Sequence, residues 1–384
     1  MLPFMIGLTV IVLGYAAFAW HSIAGQGSSG DGSSALTPGN TPLLHNVYGI
    51  AAGSSLTNAD SQTANKELDG IAALGAQWVR LDFDWSAIQP DNSNTFDWSQ
   101  YDMIVAAAQH HHLHILGILA YTPQWARSSA CSDTSKCAPA DPAQFAQFAT
   151  AAASRYANKG VHYWEVWNEP NNPGFWAPKP DPSAYTELLR RTSAALRKTD
   201  TSAYIITAGL SPQATTSHSY SPIDFLTAVY KAGGKPYFDA VADHPYTFPL
   251  SPTNSADHAW NQMVAADKSL RQLMVSNGDS DKKMWITEFG APTGGPGAIS
   301  TVANPNLSQH PYVVDENLQK KIMLDALALY KSYSWAGPFF WYSYKDAGNT
   351  SDTNENFFGL VRYDGTTKPA YNAYKTWIST NRNN

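Results

Sequence analysis

Eight short runs rich in β-branched and aromatic residues recur along the chain, at 46–50, 78–85, 114–120, 162–167, 204–208, 240–243, 284–287 and 338–344. Helix-like stretches separate them, at 64–74, 99–112, 142–156, 183–198, 257–275 and 316–333. One strand follows the next every roughly 30 to 55 residues, the period of a βα unit. Eight such units close a (β/α)8 barrel, and 384 residues suffice for one barrel of roughly 250 residues or more. A doubly wound sheet also alternates strand and helix, but it usually carries a phosphate-cradling glycine-rich turn after its first strand. Ala51-Ala52-Gly53-Ser54 is not such a turn. The expected fold is therefore α/β, a single (β/α)8 TIM barrel over residues 42–380. Asp141-Pro142 and Asp181-Pro182 mark helix starts, each placing an acceptor before a first-turn proline. Segments that follow strands are long and hold most of the Trp, Pro and Gly, which puts the working face at the C-terminal ends of the strands.

Composition narrows the function. Hydrophobic residues make up 43% and charged residues 15%, so the chain can bury a large core. A net charge of -6 supplies no basic field for a phosphate backbone, which argues against a nucleic-acid partner. Thirteen Trp and 20 Tyr are rings with a flat apolar face and a polar tip, suited to holding sugars or peptides.

Residues 2–20 are apolar apart from Thr9 and two glycines, about long enough to cross a bilayer. Residues 1–24 therefore read as a signal peptide or a membrane anchor. Ala17-Phe18-Ala19 and Ser22-Ile23-Ala24 are candidate cleavage sites, and residues 2–20 are the tether if the segment is retained. Residues 25–41 form a flexible linker that begins as a Gly/Ser-rich run. The protein is expected to be extracytoplasmic, secreted or membrane-anchored.

Only two cysteines occur, Cys131 and Cys137, five residues apart in a polar, proline-flanked loop. A local disulfide is the natural reading, and it fits an oxidising compartment. Zinc would need a second cysteine pair or a spaced histidine pair, which is missing. His110, His111 and His112 end a helix, so their rings point in different directions and cannot converge on one ion.

The ends of the fourth and seventh strands carry the chemistry. The fourth runs Tyr163-Trp164-Glu165-Val166-Trp167-Asn168-Glu169-Pro170, and the seventh Met284-Trp285-Ile286-Thr287-Glu288-Phe289-Gly290. Strand ends three apart aim side chains across one mouth, and two facing carboxyl groups are what retaining glycoside hydrolysis needs. Asn-Glu-Pro after an aromatic strand, with Thr-Glu-Phe-Gly three strands later, resembles the clan A retaining glycoside hydrolases over most of residues 45–378. The resemblance implies that Glu169 is the acid/base and Glu288 the nucleophile.

It implies further roles as well. Arg80, in Val79-Arg80-Leu81-Asp82, resembles the second-strand arginine that supports the nucleophile, and Asn168 the donor to the sugar 2-hydroxyl. His244 and Tyr246, in Asp243-His244-Pro245-Tyr246, resemble the sixth-strand pair whose Tyr hydrogen-bonds the nucleophile. Trp341 resembles the aromatic floor under the sugar. Within the clan, Trp85-Ser86-Ala87-Ile88-Gln89-Pro90, Tyr121-Thr122-Pro123-Gln124-Trp125-Ala126, and Asn168-Glu169-Pro170-Asn171 followed by Phe175-Trp176 resemble family 39, the branch of β-xylosidases and exopolysaccharide-cleaving endoglycosidases. Family 5 cellulase-like enzymes are the neighbour, with Tyr121 standing where many of them have a His. Trp125 and Trp176 are thus expected at the substrate.

The expected function is a retaining β-glycosidase acting on a poly- or oligosaccharide through a covalent glycosyl-enzyme, with no cofactor and no metal. Two other readings remain at this stage, a non-catalytic carbohydrate-binding barrel and a transglycosylase sharing the covalent step.

Overall fold

The computed structural model describes residues 44–382 except 93, 132, 306 and 308–310. The expected signal or anchor and the linker lie outside the described residues. Among the described residues no helix is long and apolar enough to cross a membrane.

In chain order the strands are β1 (Tyr48–Gly53), β2 (Trp78–Asp84), β3 (His114–Ala120), β4 (Tyr163–Val166), β5 (Tyr204–Thr207), β6 (Ala240–Asp243), β7 (Lys283–Phe289), β8 (Ile299–Ser300), β9 (Val313–Val314) and β10 (Ala336–Tyr342). β1 to β7 and β10 close a barrel of parallel strands in sequence order, with β10 against β1. All eight expected strands are present. β8 and β9 pair with each other in the segment between β7 and the helix that follows.

The helices are α1 (Ser55–Asn58), α2 (Ser61–Leu74), α3 (Trp85–Ile88), α4 (Ser99–His110), α5 (Pro142–Tyr156), α6 (Pro182–Thr199), α7 (Pro222–Lys231), α8 (Ala259–Val264), α9 (Leu270–Ser276), α10 (Glu316–Lys331) and α11 (Pro369–Asn381). Asp141 and Asp181 cap α5 and α6 as expected, accepting from Ala143 N at 2.8 Å and from Ser183 N at 2.9 Å. The single helix expected over 257–275 is two. Ala265 turns extended after α8, and Ser269 starts α9 afresh by accepting from Gln272 N. α7 and α11 add to the expected helices; Ser221-Pro222 opens α7 with a side-chain cap and a first-turn proline, as Asp-Pro opens α5 and α6.

Side chains alternate across each strand, so odd and even positions face opposite sides of the wall. On β2, Val79, Leu81 and Phe83 pack outward against the helices, in the larger apolar cluster. Trp78 faces inward and meets Leu116, Ile206, Ala240, Ala242, Trp285 and Phe340 in a plug that fills the barrel axis. Trp78 and Trp285 cross edge to face at 5.7 Å. Arg80, Asp82 and Asp84 continue the inward series of β2 toward the C-terminal mouth. The plug is therefore a dry base on which charged side chains stand.

Candidate active site

Just above the plug lies a buried ion network centred on Arg80. Its Nε donates to Glu165 Oε2 at 2.7 Å, and its Nη2 to Glu165 Oε1 at 3.1 Å and Asn168 Oδ1 at 2.9 Å. Nη1 donates to Glu288 Oε1. Glu165 Oε1 accepts in addition from Gly209 N at 2.8 Å and Thr287 Oγ1 at 3.2 Å. A forked guanidinium bound by one carboxylate below can hold a second one above in fixed orientation.

Glu288 ends β7. Its Oε2 accepts from Tyr246 Oη at 2.8 Å and lies 3.7 Å from His244 Nδ1. Burial opposes its ionised form, but the charges of His244 and Arg80 and the hydrogen bonds from Tyr246 and Arg80 outweigh burial and hold it below the usual carboxylate range. Burial likewise opposes charge on His244, yet Glu288 and the bond to Glu169 push that imidazole up. The ring sits 2.9 Å from Glu169 Oε1 through Nδ1 and 3.0 Å from Thr287 Oγ1 through Nε2.

Glu169 follows β4 with a left-handed backbone at φ 45°, and Trp167 and Tyr121 near it share that conformation at 72° and 68°. Non-glycine residues held there cost of order 1–3 kcal/mol each and gather where the surroundings over-determine them, as at ligand sites. Glu169 N is fixed on Gly209 O at 3.1 Å, and its Oε2 accepts from Asn172 Nδ2 at 3.3 Å. One oxygen of Glu169, one of Glu288 and a nitrogen of His244 all lie within 4.8 Å of one another.

These groups open into a cavity of about 670 Å³ at the C-terminal ends of the strands, lined among others by Asn168, Glu169, Tyr246 and Glu288. Four of the expected site residues thus stand in its wall. Arg80 and His244 do not; both are buried behind it, where Arg80 reaches Glu288, as the resemblance implies, and His244 reaches Glu169, so neither touches the cavity itself. The three expected tryptophans are also not in the wall. Trp125 donates to Gln89 O at 2.8 Å and packs edge-on against Trp85. Trp176 is buried against Trp167 and Tyr185. Trp341 points outward into the helical layer against Phe289, because Phe340 is the inward residue of that pair. The next inward position, Tyr342, lines the cavity instead.

Several wall and support residues escaped the sequence reading: Glu165, Asp82, Lys136 and Tyr342. The first two had a signal, since Glu165 is a charge inside an aromatic strand and Asp82 shares the parity of Arg80. Lys136 is delivered by the loop that the Cys131–Cys137 disulfide closes, with Cα atoms 5.7 Å apart.

A cation could be considered at Glu169, His244 and Glu288. Arg80 already holds Glu288 and both nitrogens of His244 are engaged, so the three are satisfied as a hydrogen-bonded set. Cys131 and Cys137, near Asp133, have no thiolate to offer a metal.

The cellulase model, glycosyl hydrolase family 5, matches residues 45–321, a span that holds both strand-end carboxylates. The chain belongs to this family. Its members are classed as glycosyl hydrolases. No curated protein matches. Among solved structures, a family 39 glycoside hydrolase from the gut symbiont Bacteroides cellulosilyticus is similar at TM-score 0.66 and 21% identity, over 88% of this chain and 64% of that one. A monomeric β-xylosidase from Caulobacter crescentus is similar at TM-score 0.61 and 18% identity, over 86% and 68%. GH5_18 from Streptomyces cattleya, in complex with GlcNAc, is similar at 0.62 and 16%, over 88% and 81%. This chain spans about two thirds of the length of the family 39 structures, and the likeness is one of fold.

Proposed function

We propose that this family 5 enzyme is an extracytoplasmic retaining β-glycosidase, with Glu288 as nucleophile and Glu169 as acid/base. The observation that carries the reading is the unequal treatment of two neighbouring carboxyl groups. Glu288 is held as an anion by Arg80 and Tyr246, with the charge of His244 3.7 Å away, while Glu169, with an oxygen within 4.8 Å of it, faces His244 Nδ1 at 2.9 Å and has no Arg or Lys partner among the described residues. Carboxyl groups about 5 to 5.5 Å apart suit double displacement, whereas inverting pairs stand roughly 6.5 to 9.5 Å apart.

In the first step a Glu288 oxygen attacks the anomeric carbon, the bond to the leaving oxygen breaks, and the Glu169 proton passes to that oxygen. A glycosyl ester on Glu288 and an ionised Glu169 result. Water then attacks the same carbon, gives its proton to Glu169 and returns Glu288 to its anionic state. Arg80 fixes the carbonyl side of Asn168, which leaves the amide nitrogen free to donate to the sugar 2-hydroxyl. The Cys131–Cys137 disulfide and the apolar residues 2–20 support a location outside the reducing cytoplasm.

The test is stereochemical. Proton NMR of the first sugar released from a β-glycoside should show the β-anomer before mutarotation. The α-anomer appearing first would mean inversion and overturn the assignment.

A further inference from the structure

Asp82 is 9% exposed and lines the cavity, and its carboxyl group has no hydrogen bond or ion pair among the described residues. Its oxygens open to the cavity with their acceptor capacity unspent. The neighbouring Asp84 and Asp97 are accounted for. Asp84 caps α3 through Ser86 N and Ala87 N, and Asp97 accepts from Ser99 N and Oγ. The guanidinium of Arg80, two residues before Asp82 on the same face, spends its donors on Glu165, Asn168 and Glu288.

Among the described residues Lys136 is the one Lys or Arg in the cavity wall. Its Nζ lies 2.9 Å from the centroid of the Tyr121 ring and 5.2 Å from that of Phe175, with no carboxylate of the described residues within 4.0 Å. It is held in place before any ligand arrives. Lys136 O accepts from Ala177 N at 3.0 Å, Thr122 Oγ1 donates to Cys137 O at 2.7 Å, and Thr122 N to Ser135 O at 2.8 Å. Asp82 and Lys136 each feel the other's charge, yet no ion pair joins them. An acceptor and a donor of opposite charge thus face one cavity with a gap between them, beside the anionic Glu288.

We propose that Asp82 and Lys136 are the specificity-determining residues for the sugar on the Glu288 side of the scissile bond, gripping a neutral ring through two hydroxyls. One hydroxyl donates to the Asp82 carboxylate and another accepts from the Lys136 ammonium. This rests on the glycosidase reading above. The pair has no net charge, so a carboxylated ring would meet Asp82 and an amino sugar would meet Lys136. The opposing charges select hydroxyls rather than either ion.

The test uses 2,4-dinitrophenyl β-glycosides of neutral sugars, their 3-, 4- and 6-deoxy analogues, and the matching glucuronide and glucosaminide. The wild type should prefer a neutral ring, and removal of one hydroxyl should lower kcat/KM about ten- to hundredfold, as for a hydrogen bond to a charged group. In Asp82→Ala the analogue lacking the hydroxyl that Asp82 holds, and in Lys136→Met a different analogue lacking the hydroxyl that Lys136 holds, should each be cleaved as well as the parent. A merely structural role would lower both substrates alike and leave their ratio unchanged, and that result overturns the proposal. So does a wild type that prefers the glucuronide or the glucosaminide. If the wild type cleaves none of the glycosides, the glycosidase reading itself fails.

Discussion

A Cβ at Gly209 would lie 2.0 Å from His244 Nε2 and 2.7 Å from Thr287 Oγ1, so bare backbone is what lets the histidine reach Glu169. The same glycine donates its N–H to Glu165 and accepts from Glu169 N. Gly209→Ala should push His244 off both partners, lower kcat at least roughly tenfold and cost about 1 to 3 kcal/mol of stability. Kinetics and denaturant melts check this; wild-type values in both would contradict the packing described.

Tyr246 donates to Glu288 Oε2 at 2.8 Å and helps keep that carboxylate ionised. Tyr246→Phe removes the bond and moves the Glu288 pKa upward. Activity that needs ionised Glu288 should then be lost at a higher pH on the acid side. The acid limb of the kcat/KM profile should shift up by about 0.5 to 1 pH unit, the equivalent of one hydrogen bond. An unmoved limb would remove Tyr246 from the nucleophile's support.

How far the site could be foreseen depended on parity and on chain distance. Glu169 and Glu288 stand at strand ends in short motifs, so their place followed from the barrel frame. Trp341 failed by one residue, because facing alternates along β10 and the inward positions are Phe340 and Tyr342. The Arg80–Glu165 pair joins residues 85 apart in sequence, a partnership that no local pattern encodes. Lys136 reaches the cavity only through the course of a loop. The split of the 257–275 stretch hung on Ser269 as a new cap within an otherwise helical pattern.

Burial pushes Asp82 up to about 6 from 3.8, outweighing Arg80, with Glu288 adding to the rise and Lys136 opposing it. The folded state therefore binds more protons between pH 3.8 and about 6, and stability falls as pH rises through that window. Above it the buried anion is a standing cost. Asp82→Asn should raise the melting temperature by roughly 2 to 5 °C at pH 7.5 and change it little at pH 4. Equal shifts at both pH values would show that the effect is not titration.

Replacing Cys131 and Cys137 together by Ser opens the short loop that carries Lys136, and should cost about 2 kcal/mol in the chain-entropy model. KM for a cleaved neutral glycoside should rise more than kcat falls, since both carboxyl groups stay in place. Titration of the denatured, unreduced wild type should find no thiol; two thiols would mean that the bond is absent in the protein as produced.

In the proposed mechanism Glu288 carries the sugar and Glu169 the proton. Glu169→Ala, given a 2,4-dinitrophenyl β-glycoside whose leaving group departs unprotonated, should accumulate a covalent adduct because deglycosylation lacks its base. Mass spectrometry of the quenched protein should show one added glycosyl residue, and peptide mapping should put it on Glu288. Added azide should discharge it as the β-glycosyl azide. An adduct on any other residue, or full turnover by Glu169→Ala on a glycan with a poor leaving group, would contradict the account.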